Sequence, residues 1–422
     1  MCGIAGILRI HDPKDGPPPH HLESIPEAWL DTLDESIKHR GPDGAGRFRD
    51  RAVRADGLVV DVALVHRRLS IIDHAGGHQP MVHDGERLRP DLTYGPGEMP
   101  KVASEIEPEK PLVAVVFNGC IYNHRELRAE LESLGHRFET DHSDTEVLVH
   151  GWRDSLLHFG PRLDGMYAVS CWNRATGQAS TARDRTGEKP LYMALATTSG
   201  SQSYTRVFCT HLSALARPWL DKPQAAALPR VLRNRFEYWL RFGAFDTPPV
   251  PAFECPPAQW GIMPRFEDLR DVQHLPVWAR SASRSGGVST GVSMARPATL
   301  QRPYTCNDLG LQIEHAITSR LEADVPLGVF LSGGIDSALI AAITKRHRPD
   351  IKTFTVRMPE ASYDESVDAA ETAAHIGTDH HTLDCDAMPA EDLVMLIEQL
   401  GLPFGDSSLL PTYWVSKAAR EH

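Results

Sequence analysis

The first residues that could do chemistry stand at the start of the chain, Met1-Cys2-Gly3-Ile4-Ala5-Gly6-Ile7. Cysteine is small enough for a preceding initiator methionine to be trimmed. Cys2 would then carry a thiol and a free α-amine on one residue. The thiolate is the attacking species. An α-amine has a reference pKa of about 7.7–8.0, so near neutral pH it can take the thiol's proton. The same nucleophile-plus-base logic applies to N-terminal threonine. Ile4, Ala5 and Ile7 among small glycines predict a buried strand start that would fix the nucleophile. The opposing reading is an ordinary buried cysteine near a frayed end. This stretch alone leaves the two balanced.

A second candidate is Ser332-Gly333-Gly334-Ile335-Asp336-Ser337, between a predicted strand and a predicted helix. Small residues let backbone N–H groups approach phosphate oxygens, and the helix N-terminus that follows favours anions. Asp336 could hold Mg²⁺ on such phosphates. The loop lacks the Gly-Lys-Ser/Thr ending of a Walker A motif. A lone Ser-Gly-Gly is usually a plain turn. The six-residue string at this place in a β/α unit is far more specific.

The elements around these residues can be read from periodicity. Ile25, Trp29, Leu33 and Ile37 predict a helix, with Pro26 in its first turn. His39-Arg40-Gly41-Pro42-Asp43-Gly44 ends it in a turn-forming run. Residues 58–72 hold strand-like segments interrupted by His66-Arg67-Arg68, and 84–110 read as an inserted surface loop. Leu112 to Phe117 is a buried strand that empties into Asn118-Gly119. Asn123 with Glu126, and Ser143 with Glu146, resemble capping boxes that open two helices, the first ending at Gly135. Residues 164–194 alternate as strands around Arg183-Asp184-Arg185 and Gly187.

Residues 216–300 change character, from a helical patch at Leu228 to Leu240 into Pro- and Ser/Gly-rich sequence. They predict a connector between a domain at 1–215 and a second at 301–422. From about residue 301 strands and helices alternate: strands at 325–331, 351–356 and 380–385, helices at 338–345, 364–376 and 390–400, and a last helix near Pro411. Such alternation predicts a parallel, doubly wound sheet.

Composition narrows the class. At 422 residues the chain has ample core for two or three domains. A net charge of −12 argues against a nucleic-acid footprint. No stretch is long and apolar enough to span a membrane, and no secretory signal is visible. Seven scattered cysteines without C-x-x-C spacing fit a reducing, cytoplasmic setting and offer no zinc site. His375, His380 and His381 lack partners at metal-ligand spacing.

Several motifs occur in order: Cys2-Gly3-Ile4, His39-Arg40-Gly41-Pro42-Asp43, Arg68-Leu69-Ser70-Ile71-Ile72-Asp73, Asn118-Gly119-x-Ile121-Tyr122-Asn123 and Ser143-Asp144-Thr145-Glu146. Asp164-Gly165-Met166, Arg183-Asp184-Arg185-x-Gly187-x-Lys189-Pro190-Leu191-Tyr192 and the Ser332 loop follow. Together they resemble the glutamine-hydrolysing asparagine synthetases over nearly the whole chain, apart from 84–110 and parts of 216–300. The resemblance implies an α+β and α/β two-domain fold. The first domain would be an N-terminal-nucleophile α/β/β/α sandwich that acts as a glutaminase. The second would be the start of an ATP-pyrophosphatase-type synthetase domain, its doubly wound sheet incomplete.

By the same resemblance, Cys2 would attack the glutamine amide and release ammonia through a thioester. Asn118 and the Gly119 N–H would form the oxyanion hole. Arg68 would clamp the glutamine carboxylate, and Asp144 would bind its ammonium. Leu331 and Val356 match adenine-side positions, while Ser332, Gly333, Gly334, Asp336 and Ser337 match the pyrophosphate loop. ATP with Mg²⁺, the latter near Asp336, would adenylate aspartate, and the ammonia would cross between domains to displace AMP. A homodimer is compatible with the family.

Two departures from the family pattern stand out. Cys120 occupies a position usually held by a glutamate that helps bind the ammonium, and a neutral thiol cannot supply that charge. The chain also ends before the expected second ATP loop and acceptor-binding helices, so residues 1–422 alone are not expected to make asparagine. Two alternatives therefore stay open from sequence: a glutaminase-only or regulatory protein, and an amidotransferase acting on another carboxylate acceptor.

Overall fold

The computed structural model describes residues 2–155, 159–184, 186–197, 202–215, 306–358, 360–384, 388–401 and 406–421. The connector expected over 216–300 lies outside the described residues. The described residues fall into two units.

In the first unit, β1 (Gly3–His11), β2 (Gly44–Val53), β3 (Val59–Arg68), β8 (Tyr192–Thr197) and β9 (Tyr204–Cys209) form one antiparallel sheet in the order β2-β3-β1-β9-β8. A second antiparallel sheet runs β4 (Met81–His83), β5 (Val113–Ile121), β6 (Gly165–Asn173) and β7 (Gln178–Arg183). Three helices flank them: α1 (Glu27–Ile37), α2 (His124–Ser133) and α3 (Asp144–Ser155).

Strand alternation builds the layers, because successive side chains point to opposite faces. Ile4 and Leu8 of β1, Val62 and Leu64 of β3, Ala114 and Val116 of β5, and Trp172 of β6 fill the space between the sheets. Ala5, Ile7, Ala63 and Val65 face the other way, onto Leu30, Leu33 and Ile37 of α1. Val113, Val115 and Phe117 of β5 turn outward onto Leu127, Leu131, Val147, Leu148 and Trp152 of α2 and α3. The result is an α/β/β/α sandwich. The same parity carries the even positions past the ends of the apolar runs, Cys2, His66, Arg68, Asn118 and Cys120, to one end of the inter-sheet space.

Helix α1 is held down by charge as well as by its apolar stripe. Glu27, Asp31 and Asp34 lie on one face of it. Arg47 of β2 pairs with all three, at 2.8 Å from both Asp31 and Asp34, and Arg67 of β3 grips Asp34 with Nη2 at 2.9 Å.

Two local expectations differ in detail. Asn123 stands before α2 but makes no side-chain cap; it bonds the Arg162 carbonyl and the Asp164 N–H instead, tying the β5 exit to the start of β6. Glu146 turns its carboxylate back to the N–H groups of Glu139 and Thr140, both at 2.8 Å. Segment 84–110 is not a mere surface excursion. Leu92, Tyr94, Val102 and Ala103 are buried, and Leu92 and Ala103 join the inter-sheet core.

In the second unit, β10 (Gly328–Phe330), β11 (Lys352–Val356) and β12 (Asp379–Leu383) form a parallel sheet in sequence order. Helix α4 (Cys306–Thr318) precedes the strands, α5 (Ile335–His347) and α6 (Ser366–Ile376) alternate with them, and α7 (Pro389–Leu400) and α8 (Leu409–Ala419) follow. Leu331, Ala341, Ala369 and Ala373 make its small core. This is the β/α alternation read from sequence.

Candidate active site

Cys2 precedes β1, where the sandwich opens. Its half-buried thiol receives the Leu69 N–H at 3.3 Å and lies 3.5 Å from the Leu69 carbonyl. Its own carbonyl receives the Arg40 Nε–H at 3.1 Å. Burial pushes the thiol's pKa up; the Leu69 N–H and the Arg68 charge pull the other way, and Asp144 adds to the rise. At rest Cys2 is therefore a thiol.

Arg68, the last residue of β3, is folded into the loop that follows. Nη1 donates to the His74 carbonyl at 2.8 Å and Nη2 to the Asp73 carbonyl at 2.5 Å. A Cβ at Gly77 would stand 2.4 Å from Nη2, so only glycine leaves room for this grip. The guanidinium is a fork of five N–H donors, and the loop carbonyls engage both of its Nη atoms.

The edge of β5 has one unbonded rung among the described residues. The bonds from Arg174 N–H to the Leu112 carbonyl and from Tyr122 N–H to the Asp164 carbonyl set the ladder parity with β6. Even residues of β5 bond β6, so odd ones direct N–H and C=O toward the other side. There β4 pairs only as far as Val115. Side chains replace the missing strand. The Phe117 N–H bonds Gln79 Oε1 at 2.6 Å, and its carbonyl receives His66 Nε2–H at 3.2 Å. Two rungs on, the Ile121 N–H bonds Asp144 Oδ2 at 3.1 Å, and its carbonyl accepts from His124 Nδ1 at 2.8 Å. The rung between them, Gly119, receives no such partner among the described residues. Beside it, the buried Asn118 Nδ2 also has no hydrogen-bond partner among them. A Cβ at Gly119 would lie 2.0 Å from the Met166 carbonyl, which excludes any other residue.

Asp144 heads α3 and is buried. Burial raises its carboxyl pKa to about 6, against the lowering pull of the Ile121 N–H and of nearby His124. Cys120 is half-buried on the same side of β5 as Asn118. Burial first, and then the Asp144 charge, push its thiol up to about 12, so it is neutral. The buried Lys189 ammonium lies within electrostatic reach of Cys120. The structure thus brings Cys2, Arg68, Asn118, Gly119, Cys120 and Asp144 to one end of one sandwich. Sequence reasoning gave no role to His66, Gln79, His124 or Lys189. The signal for His66 was its charge-bearing interruption of the β3 apolar run.

In the second unit the Ser332 loop joins β10 to α5. Leu331 is buried and Val356 half-buried, both at the carboxyl ends of parallel strands, where open sheets bind ligands. The Gly333 N–H is taken by the Glu365 carboxylate at 3.0 Å, and the Gly334 N–H by Ser332 Oγ at 3.2 Å. Ser337 Oγ lies 2.9 Å from Ser332 Oγ, bracing the turn. The Asp336 side chain is exposed in the first turn of α5. The loop's Gly333 N–H is thus already occupied by a carboxylate oxygen of the same unit.

Comparison with known proteins gives this geometry a class. Two glutamine amidotransferase domain profiles match residues 1–95 and 105–216, and the asparagine synthase profile matches 308–422. The first unit is a glutamine amidotransferase domain, joined in one chain to an asparagine synthase segment. Over its full length the chain is 28% identical to asparagine synthetase [glutamine-hydrolyzing] 1 of Bacillus subtilis (strain 168), covering 56% of that protein. It is 29% identical to a putative asparagine synthetase [glutamine-hydrolyzing] of Mycobacterium tuberculosis (strain ATCC 25618 / H37Rv), covering 58% of it. Along its whole length the chain is thus similar to glutamine-hydrolysing asparagine synthetases, and it spans a little over half the length of these relatives. A solved glutamine phosphoribosylpyrophosphate amidotransferase from B. subtilis, complexed with ADP and GMP, is 14% identical, with 96% of this chain and 94% of that one covered and a TM-score of 0.33.

Proposed function

We propose that the first unit hydrolyses glutamine at Cys2, and that the ammonia serves an ATP-dependent amidation of aspartate by the synthetase domain to which residues 306–421 contribute. The observation that carries this reading is the open Gly119 rung with the unpartnered Asn118 Nδ2 beside it. Removal of Met1 would free the Cys2 α-amine as base for a thiol that burial keeps protonated. The sulfur adds to the glutamine amide carbon, and the resulting oxyanion takes the Asn118 and Gly119 N–H donors. The proton passes to the leaving nitrogen, ammonia departs, and water then cleaves the thioester to glutamate. The Arg68 charge would pair with the substrate carboxylate, and Asp144 with its ammonium.

ATP would supply activation of the acceptor carboxyl. The Gly333 and Gly334 N–H groups and the α5 N-terminus would hold its pyrophosphate, with Mg²⁺ carried there beside Asp336. Among the described residues no helix is long and apolar enough to cross a membrane, and Cys2, Cys120, Cys171 and Cys209 are free thiols. Both fit a cytoplasmic enzyme.

Glutamate release from glutamine tests the first half. Asn118→Ala should lose about 100- to 1,000-fold in kcat while Cys2 remains open to alkylation. Cys2→Ala should abolish hydrolysis; a Cys2→Ala protein working at the wild-type rate would end the reading. Aspartate-dependent pyrophosphate release tests the second half.

A further inference from the structure

We propose that His66 is a positioning residue for glutamine hydrolysis: its bond to the Phe117 carbonyl aligns the Asn118-Gly119 donors with the sheet that carries Cys2. The inference rests on the glutaminase reading above and adds a role outside the substrate-binding set.

The two halves of the site belong to different sheets. Cys2 leads into β1, whereas Asn118 and Gly119 belong to β5. Apolar packing between sheets is non-directional, so it sets their spacing loosely along the strands. A reacting sulfur and its oxyanion donors need alignment to a fraction of an ångström. His66 supplies a directional link. It sits on β3 opposite Ile4, two residues from Cys2, and crosses to β5 to donate Nε2–H to Phe117 O at 3.2 Å, next to Asn118. Gln79 pins the other half of the same rung, accepting the Phe117 N–H at 2.6 Å and donating to Thr145 Oγ1 at 3.1 Å, one residue from Asp144.

The chemistry of His66 fits this task and no proton transfer. It is fully buried, and burial, reinforced by Arg68, lowers its pKa to about 3 despite the Phe117 carbonyl. It stays neutral at working pH, with Nε2 as donor. Its Nδ1 is buried and has no partner among the described residues. Leaving a ring nitrogen unpaired costs stability, which an apolar residue of similar size would avoid. The bond to β5 is the one hydrogen bond that the imidazole makes among the described residues.

The test compares His66→Leu, which removes the donor, with His66→Gln, which keeps an N–H donor. Three quantities are read on the full chain: kcat and KM for glutamine, and the rate of Cys2 alkylation by iodoacetamide, located by mass spectrometry. Alkylation needs the thiol but no oxyanion donors. His66→Leu should lower kcat about ten- to a hundredfold, with KM and alkylation within about threefold of wild type, and His66→Gln should recover most of the loss. A kcat unchanged by His66→Leu, alkylation falling in step with kcat, a loss confined to KM, or a His66→Gln variant as slow as His66→Leu overturns the inference. Should His66→Leu fail to fold, Gln79→Leu frees the other half of the Phe117 rung and must show the same split between kcat and alkylation. Wild-type protein without glutaminase activity removes the reading beneath it, and the inference with it.

Discussion

Cys120 places a neutral thiol beside the Asp144 carboxylate. A bound glutamine ammonium loses water and needs compensation. Asp144 offers one carboxylate; the Cys120 thiol, held neutral by burial, offers none, and Lys189 adds positive charge nearby. A hydrogen bond to a charged group contributes about 1.5–3 kcal/mol, and 1.4 kcal/mol is a decade in affinity. Cys120→Glu should therefore lower the glutamine KM roughly ten- to a hundredfold in steady-state kinetics; a change within twofold would mean that Asp144 suffices. Asp144 itself predicts a pH dependence. Its pKa is raised to about 6, so it is ionised at neutral pH and becomes protonated as pH falls through that value. The KM for glutamine should rise about tenfold per unit below pH 6, and Asp144→Asn should abolish that rise. The sign for stability is opposite. The folded state binds the extra proton between the unfolded value of 3.8 and about 6, so this group's contribution to stability falls as pH rises through that window.

Among the elements, α1 shows how polar and apolar forces share one task. Leu30, Leu33 and Ile37 dock it on the β1-β3 sheet, while Asp34 sits between Arg47 and Arg67. The Asp34 side chain is 4% exposed, whereas that of Asp31, on the same Arg47, is 61% exposed. Removing one partner of a buried ion pair costs about 3–5 kcal/mol because the other charge is left desolvated, whereas an exposed pair contributes about 0–1 kcal/mol. Asp34→Ala should lower the denaturation midpoint sharply and Asp31→Ala hardly at all. Equal effects in urea titrations would refute this account. The edge of β5 makes a related point. Its sequence alternates cleanly, but four side chains from elsewhere decide which of its odd rungs are closed. The sequence marked Asn123 and Glu146 as partners in capping boxes. Both found nearer partners in the fold, because a side chain bonds whatever tertiary contact brings closest.

At the scale of the whole molecule, each unit has its own core. In the second unit Glu365 sits on the Gly333 N–H, so on the proposed reading a nucleotide phosphate would have to displace it. Glu365→Gln weakens that competitor, since bonds to a charged acceptor are the stronger ones. It should tighten ATP binding about two- to fivefold by titration calorimetry, and Cys2→Ala should leave that binding unchanged. Weaker binding by Glu365→Gln would mean that the carboxylate serves the nucleotide instead.

The sequence by itself determined the layers and the chemistry on offer. Period-two alternation in β1, β3 and β5 assigns each residue a face, and the small residues of the Ser332 string mark a turn between a strand and a helix. Those are local properties, carried by neighbouring residues. Tertiary structure alone decided the rest. Segment 84–110 looks solvent-loving by composition, yet Leu92 and Ala103 fill the inter-sheet core, because proline and glycine set backbone shape and not burial. Nothing in the sequence pairs His66 with Phe117, Gln79 with Thr145, or Asp144 with Ile121. Those contacts span 23 to 66 residues and exist only once the sheets have stacked. The open rung at Gly119 is their joint product: a vacancy is defined by its neighbours, and its neighbours come from distant parts of the chain.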